Sequence, residues 1–141
     1  MVHNIRHCHY LDDNVYVVDY YDKRFHLDEI RTVDFLVCPF TDMPDIAHTM
    51  LSFGFEDSSG HQDYVALSVE IRKERGEQYA AWKGSVRQYE IMYVFADERD
   101  VIGVRVNHRD EDVYLYRAKA TPEQARDLFV DVLNRANKLA R

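Results

Sequence analysis

The stretch from Ala47 to Arg72 constrains this chain more than any other, because it alternates twice around a turn-rich centre. It reads AHTMLSFGFED, then SSGHQD, then YVALSVEIR, with Gly60 and Asp63 in the polar segment. Two period-two apolar runs flanking such a segment predict a β-hairpin. Thr49, Leu51, Phe53 and Phe55 share one face of the first strand with each other, and His48, Met50, Ser52 and Gly54 share the opposite face. On the return strand Val65, Leu67, Val69 and Ile71 form the apolar row, and Tyr64, Ala66, Ser68 and Glu70 the other. If both apolar rows face one core, odd positions pair with odd, since a one-residue slip exposes one row. His48 then lies opposite Glu70 or diagonal to it, with Cβ atoms about 4.5 to 8 Å apart, on the face away from the core. Such a pair reads either as a surface cross-strand contact or as a general base with the group that holds its tautomer. The hairpin itself contains no nucleophile.

Length and composition narrow the classes. With 141 residues, of which 46% are hydrophobic and 30% charged, the chain suffices for one folded domain, residues 1–141. Ten Tyr and seven Phe favour a β-rich interior. A formal charge of -7 with no block of Lys or Arg excludes nucleic acid as the expected partner. Cys8 and Cys38 do not make a disulfide framework, and Cys38, after FLV, is expected to pack as a small apolar residue. Nothing in the sequence resembles a signal peptide or a membrane span, since MVHNIRHCHYL has no apolar core and no run approaches ~18 apolar residues. His3, His7, Cys8 and His9 are of metal-ligand type, but their spacing matches no zinc pattern, so metal is a minor rival reading.

Before the hairpin, short strands are expected at Val15 to Tyr20 and Val33 to Cys38, with LDEIR between them as a single helical turn. Pro39 should end the second strand and FTDMPD should form a loop. After it, KERGEQYAAWKGS reads as a connection, with Trp82 buried. QYEIMYVF, VIGVRVNH and DVYLYRA read as three successive strands of a meander, linked by solvated charged turns at 97–100 and 109–112. The chain closes on a helix. Thr121 is its N-cap, Pro122 its first residue and Gln124 its capping-box partner, and Ala125, Leu128, Phe129, Val132, Leu133 and Ala136 form the stripe that should meet the sheet. The fold class is therefore α+β, an antiparallel meander packed against a C-terminal helix. No stop signal follows RANKLAR, so the natural polypeptide is expected to continue.

IAHTMLSFGFED, SVEIRKERGEQY, VRQYEIMYVFADERDVI, EDVYLYRAKATPEQAR and LFVDVLNRANKLA, in this order and spacing, resemble the Lnb N-terminal periplasmic domain family, as does YYDKRFHLDEIRTVDFLVCPF. The resemblance covers almost the whole chain. It implies a circularly permuted papain-like thiol fold, in a family that includes a bacterial lipoprotein N-acyltransferase. His48 matches the histidine of the family's HT-x-LSFGF stretch, and Glu70 in SVEIR best matches the polar partner. The family's cysteine lies beyond the capped helix, in a segment this chain does not reach, so neither Cys8 nor Cys38 is assigned as nucleophile and the domain is expected to be incomplete.

The resemblance thus implies the histidine-bearing part of a cell-envelope thiol acyltransferase or hydrolase on the periplasmic side of the membrane. His48 would activate the thiol and Glu70 would orient the imidazole, with a lipid or lipoprotein acyl group as substrate. That chemistry uses no cofactor and no metal. The fragment alone should be inactive, and self-association through the groove left by the missing segment is expected. The alternative is a non-catalytic binding or interaction domain that keeps the fold without the nucleophile.

Overall fold

Odd residues do pair with odd across the central hairpin: Leu51 lies opposite Leu67 and Phe53 opposite Val65. The computed structural model describes residues 1–12, 14–41, 43–72 and 90–139. The hairpin strands are β6 (Met43–Glu56) and β7 (Gln62–Arg72); the others are β1 (Val2–Arg6), β2 (His9–Tyr10), β3 (Tyr16–Val17), β4 (Tyr20–Lys23), β5 (Ile30–Phe40), β8 (Glu90–Ala96) and β9 (Tyr114–Arg117). Helices α1 (Glu98–Val101), α2 (Gly103–Asn107) and α3 (Pro122–Leu139) complete the described elements, with a 3-10 turn at Leu27–Glu29 where LDEIR suggested one.

Seven strands form one sheet in the order β4-β1-β8-β7-β6-β5-β9, with β2 and β3 as a separate pair. Strands β5 to β8 are a meander, antiparallel at every step. Among the described residues the one parallel contact joins β1 to β8 at Arg6 and Ala96. The protein is therefore α+β, with a large, mainly antiparallel sheet and a C-terminal helix.

The odd face carries the larger core. Phe53, Phe55, Val65, Leu67 and Phe95 meet Ala125, Phe129 and Val132 of α3. Phe129 is the centre of this contact, its ring edge-on to Phe53 at 5.0 Å and to Phe55 at 5.3 Å between centroids. The start of α3 is capped as its sequence predicts: Thr121 N donates to Gln124 Oε1 at 2.9 Å, and Gln124 N donates to Thr121 Oγ1 at 3.2 Å. Leu128 alone of the expected stripe is exposed. Gly54 is required where β5 crosses β6, because a Cβ there would lie 2.3 Å from Thr32 Oγ1 and 2.9 Å from the Tyr64 ring.

The even face is not open to solvent, contrary to the hairpin-based expectation. A second core of Leu36, Met50, Ala66, Ala96 and Val101 lies there under α1 and α2. VIGVRVNH, expected as a strand, supplies these helices instead. Its alternation of β-branched residues is overridden by a cap, Asp97 accepting from Arg99 N at 2.8 Å, and by burial of Val101 and Val104 three residues apart. DVYLYRA is a strand, but it joins the far edge of the sheet beside β5 rather than extending the meander. Other boundaries move less. The Val15–Tyr20 strand divides into β3 and β4, β5 runs to Phe40 with a register shift after Pro39, and β6 starts at Met43, shortening the expected loop. KERGEQYAAWKGS and Trp82 lie outside the described residues.

The turn at 97–100, expected as solvated, contains the anchor of the second layer. Asp100 is fully buried and accepts from Arg6 Nη2 at 2.8 Å, Arg6 Nε at 3.0 Å and Cys8 N at 2.7 Å. Burial alone would raise this carboxyl's pKa, but the Arg6 guanidinium and the Cys8 N–H outweigh it and hold it below the ordinary range. Replacing one partner strands the other. Asp100→Ala is therefore expected to destabilise the fold by about 3 kcal/mol in urea unfolding; a loss under about 1 kcal/mol would remove this pair as the anchor.

Candidate functional site

Continuing the β6–β7 register from Met50 and Ser68 brings His48 opposite Glu70. The two side chains meet, with His48 Nε2 3.8 Å from Glu70 Oε1. They are not joined directly. Ser68, two residues before Glu70 on the same strand face, stands between them: its hydroxyl lies 2.7 Å from His48 Nε2 and donates to Glu70 Oε1 at 2.7 Å. A serine hydroxyl has a single proton. With that proton on Glu70, the contact to His48 must be an Nε2–H donating to Ser68 Oγ. Nδ1 is then the basic nitrogen of the ring.

This order differs from a Ser-His-acid triad, although all three residue types are present. In a triad the acid holds the imidazole and the imidazole faces the serine. Here the serine lies between histidine and acid, and Ser68 is fully buried. Its geometry suits a conduit that fixes the tautomer of His48, not a nucleophile.

The surroundings keep the imidazole neutral. Burial lowers the His48 pKa first, and the guanidinium of Arg105 lowers it further, against an opposing pull from Glu70. Arg105 is itself buried on α2 and donates Nη1 to Glu111 Oε2 at 2.8 Å. Asp110, with φ 53, turns the chain through the left-handed region so that Glu111 returns toward Arg105, a backbone conformation that Asp tolerates.

Cys38 is the partner of His48 across the β5–β6 ladder, so it shares the same face. It is buried, as its apolar context predicts, but it is not simply apolar packing, because its thiol donates to Glu111 Oε2 at 3.2 Å. Burial and then Glu111 push its pKa up, so the sulfur is held as a thiol. Glu111, pulled up by burial, is carried below the ordinary range by Cys38 and Arg105. Cys8 lies elsewhere, its N–H on Asp100 and its own pKa raised by burial.

The amino-terminal histidines do not converge. His3 binds Asp22 at 2.7 Å, while His7 and His9 stack edge-on at 4.7 Å. Among the described residues no group of three or more His, Cys, Asp or Glu is arranged to hold a metal ion.

Sequence reasoning placed His48 and Glu70 together but missed Ser68, Arg105 and Glu111. The parity that sets Glu70 on the even face sets Ser68 there too, so that signal was available. Arg105 and Glu111 had none, since their meeting depends on α2 being helical.

These features define a class: an α+β domain whose sheet carries a histidine-centred polar site beneath a short helical cover. The chain belongs to the Lnb N-terminal periplasmic domain family, whose model matches residues 16–141. The family's description suggests a periplasmic location, and among the described residues no helix is long and apolar enough to cross a membrane. No curated protein and no solved structure matches the chain.

The depressed pKa of His48 has a stability consequence. Unfolding restores its ordinary affinity for a proton, with a pKa near 6.5, so the unfolded state binds more protons just below that pH. The stability that neutral His48 provides is present above about pH 6.5 and declines as pH falls from there toward its folded pKa. Urea midpoints should therefore fall between pH 7 and pH 5, and His48→Gln should flatten that dependence; an unchanged slope in the variant would contradict the assignment.

Proposed function

We propose that the chain is the histidine-bearing part of a bacterial cell-envelope thiol acyltransferase or hydrolase acting on lipid or lipoprotein acyl groups. The observation that carries this reading is the His48–Ser68–Glu70 chain, because a neutral imidazole with a fixed tautomer is what activation of a thiol requires. The family resemblance supplies the rest. On that resemblance we read the sheet as a circularly permuted papain-like design whose nucleophilic cysteine is not among residues 1–141.

In the intact site His48 Nδ1 takes the proton of the cysteine thiol. The thiolate attacks an ester or amide carbonyl, the carbonyl carbon gains the sulfur, and the leaving alcohol or amine departs with the proton returned by His48. The acyl-enzyme then passes its acyl group to water or to an amine such as a lipoprotein N-terminus. Excluding water favours the amine. Glu70, through Ser68, stabilises the imidazolium that forms between these steps.

The test is made on the full-length gene product, with a lipid ester or thioester as acyl donor. Mass spectrometry should find an acylated cysteine outside residues 1–141, and His48→Ala should lower its formation by about 10²–10⁴-fold. Turnover by the 141-residue chain alone, surviving Cys8→Ser and Cys38→Ser, would overturn the proposal. So would an inert full polypeptide, which would leave a binding domain that keeps the fold without the chemistry.

A further inference from the structure

A cavity of about 170 Å3 opens beside the acidic end of the His48 chain, and its wall includes Glu70, Tyr10, Tyr16, Arg6, Arg105 and Arg109. Three guanidiniums on one small cavity are costly unless acceptors meet them. Arg6 is met by the buried carboxylate of Asp100, to which its Nε and Nη2 donate. Arg105 is met in part: Nη1 is on Glu111, but Nε is buried with no hydrogen-bond partner. Arg109 is exposed, and no ion pair or hydrogen bond to its guanidinium forms among the described residues. Glu70, on the same wall, already accepts from Ser68. Among the described residues the wall therefore has more donors than acceptors, and the surplus charge belongs to the two arginines at the α2 end.

We propose that this cavity binds an anionic group, a phosphate or a carboxylate, with Arg105 and Arg109 as its donors. A guanidinium fork matches both oxyanions, since two parallel N–H groups can meet two oxygens. The Arg105 Nε–H gains the acceptor it lacks, and Arg109, whose charge reaches Glu111 only through space and whose side chain makes no hydrogen bond or ion pair among the described residues, supplies a second guanidinium. The two tyrosine rings give the wall an apolar border, suited to a ligand with a charged head on a less polar body. Glu70 links the pocket to His48, so the bound group lies next to the tautomer-setting chain. Calling this anion part of the acyl substrate rests on the function proposed above; its binding does not.

The chain itself is titrated with sodium phosphate and, separately, with sodium acetate at constant ionic strength, following backbone amides and arginine Nε–H signals by NMR. Saturable shifts are expected at Arg105 and Arg109, and Arg109→Ala should weaken binding about tenfold, while Arg24→Ala, away from the cavity, should not. Saturation by phosphate alone assigns a phosphate-bearing ligand; saturation by acetate as well assigns the carboxylate class. No saturable shift with either anion, or shifts that Arg109→Ala leaves unchanged, would overturn the site. Because no turnover is read, failure of the acyl chemistry leaves this result standing, and failure here leaves the acyl chemistry standing.

Discussion

The register between β6 and β7 is the constraint on which the rest of the structure depends. A slip of one residue would turn Phe53, Phe55, Val65 and Leu67 away from α3 and expose a core that Phe129 unites. Burying these side chains contributes on the order of 2 kcal/mol each. That preference is large enough to fix the pairing without help from the polar face. The polar face is consequently positioned for free of its own energetics: His48, Ser68 and Glu70 are brought together by the phenylalanines behind them.

A second constraint decides what that polar face can do. Left open to water, a histidine and a glutamate on adjacent strands would form a weak surface pair. Asp100, tied to Arg6 and Cys8 N, holds α1 and α2 over the even face and turns it into an interior. Burial then lowers the His48 pKa and makes the chain through Ser68 a determinant of tautomer rather than a loose contact. The same cover carries Arg105 and Glu111 inward, which explains why Cys38, although level with His48, is kept protonated.

The sequence was legible where structure is local or strictly periodic. The hairpin parity, the Thr121–Gln124 cap and the Phe129 face follow from spacing alone, and the observed elements agree with them. The second layer was not legible. VIGVRVNH alternates like a strand, and what makes it helical is the Asp97 cap together with a partner for Asp100 that lies at Arg6, on the first strand. No local pattern records such a contact. Cys38 was rightly expected to be buried, but its polar contact was missed for a related reason: its place opposite His48 follows from the β5–β6 register, which was hidden once FTDMPD was read as a loop. Ser68 was visible by parity and overlooked because a small residue beside a histidine reads as space rather than as a connection.

The central claim is that Glu70 sets the state of His48 through Ser68, and the most direct measurement is the tautomer of His48. A long-range 15N–1H NMR spectrum of the neutral protein should show the proton on Nε2 and the lone pair on Nδ1. Ser68→Ala should relax that preference while the fold is retained. A proton found on Nδ1 in the wild-type chain would contradict the account, because Nε2 would then be the acceptor and the hydroxyl of Ser68 could not also serve Glu70.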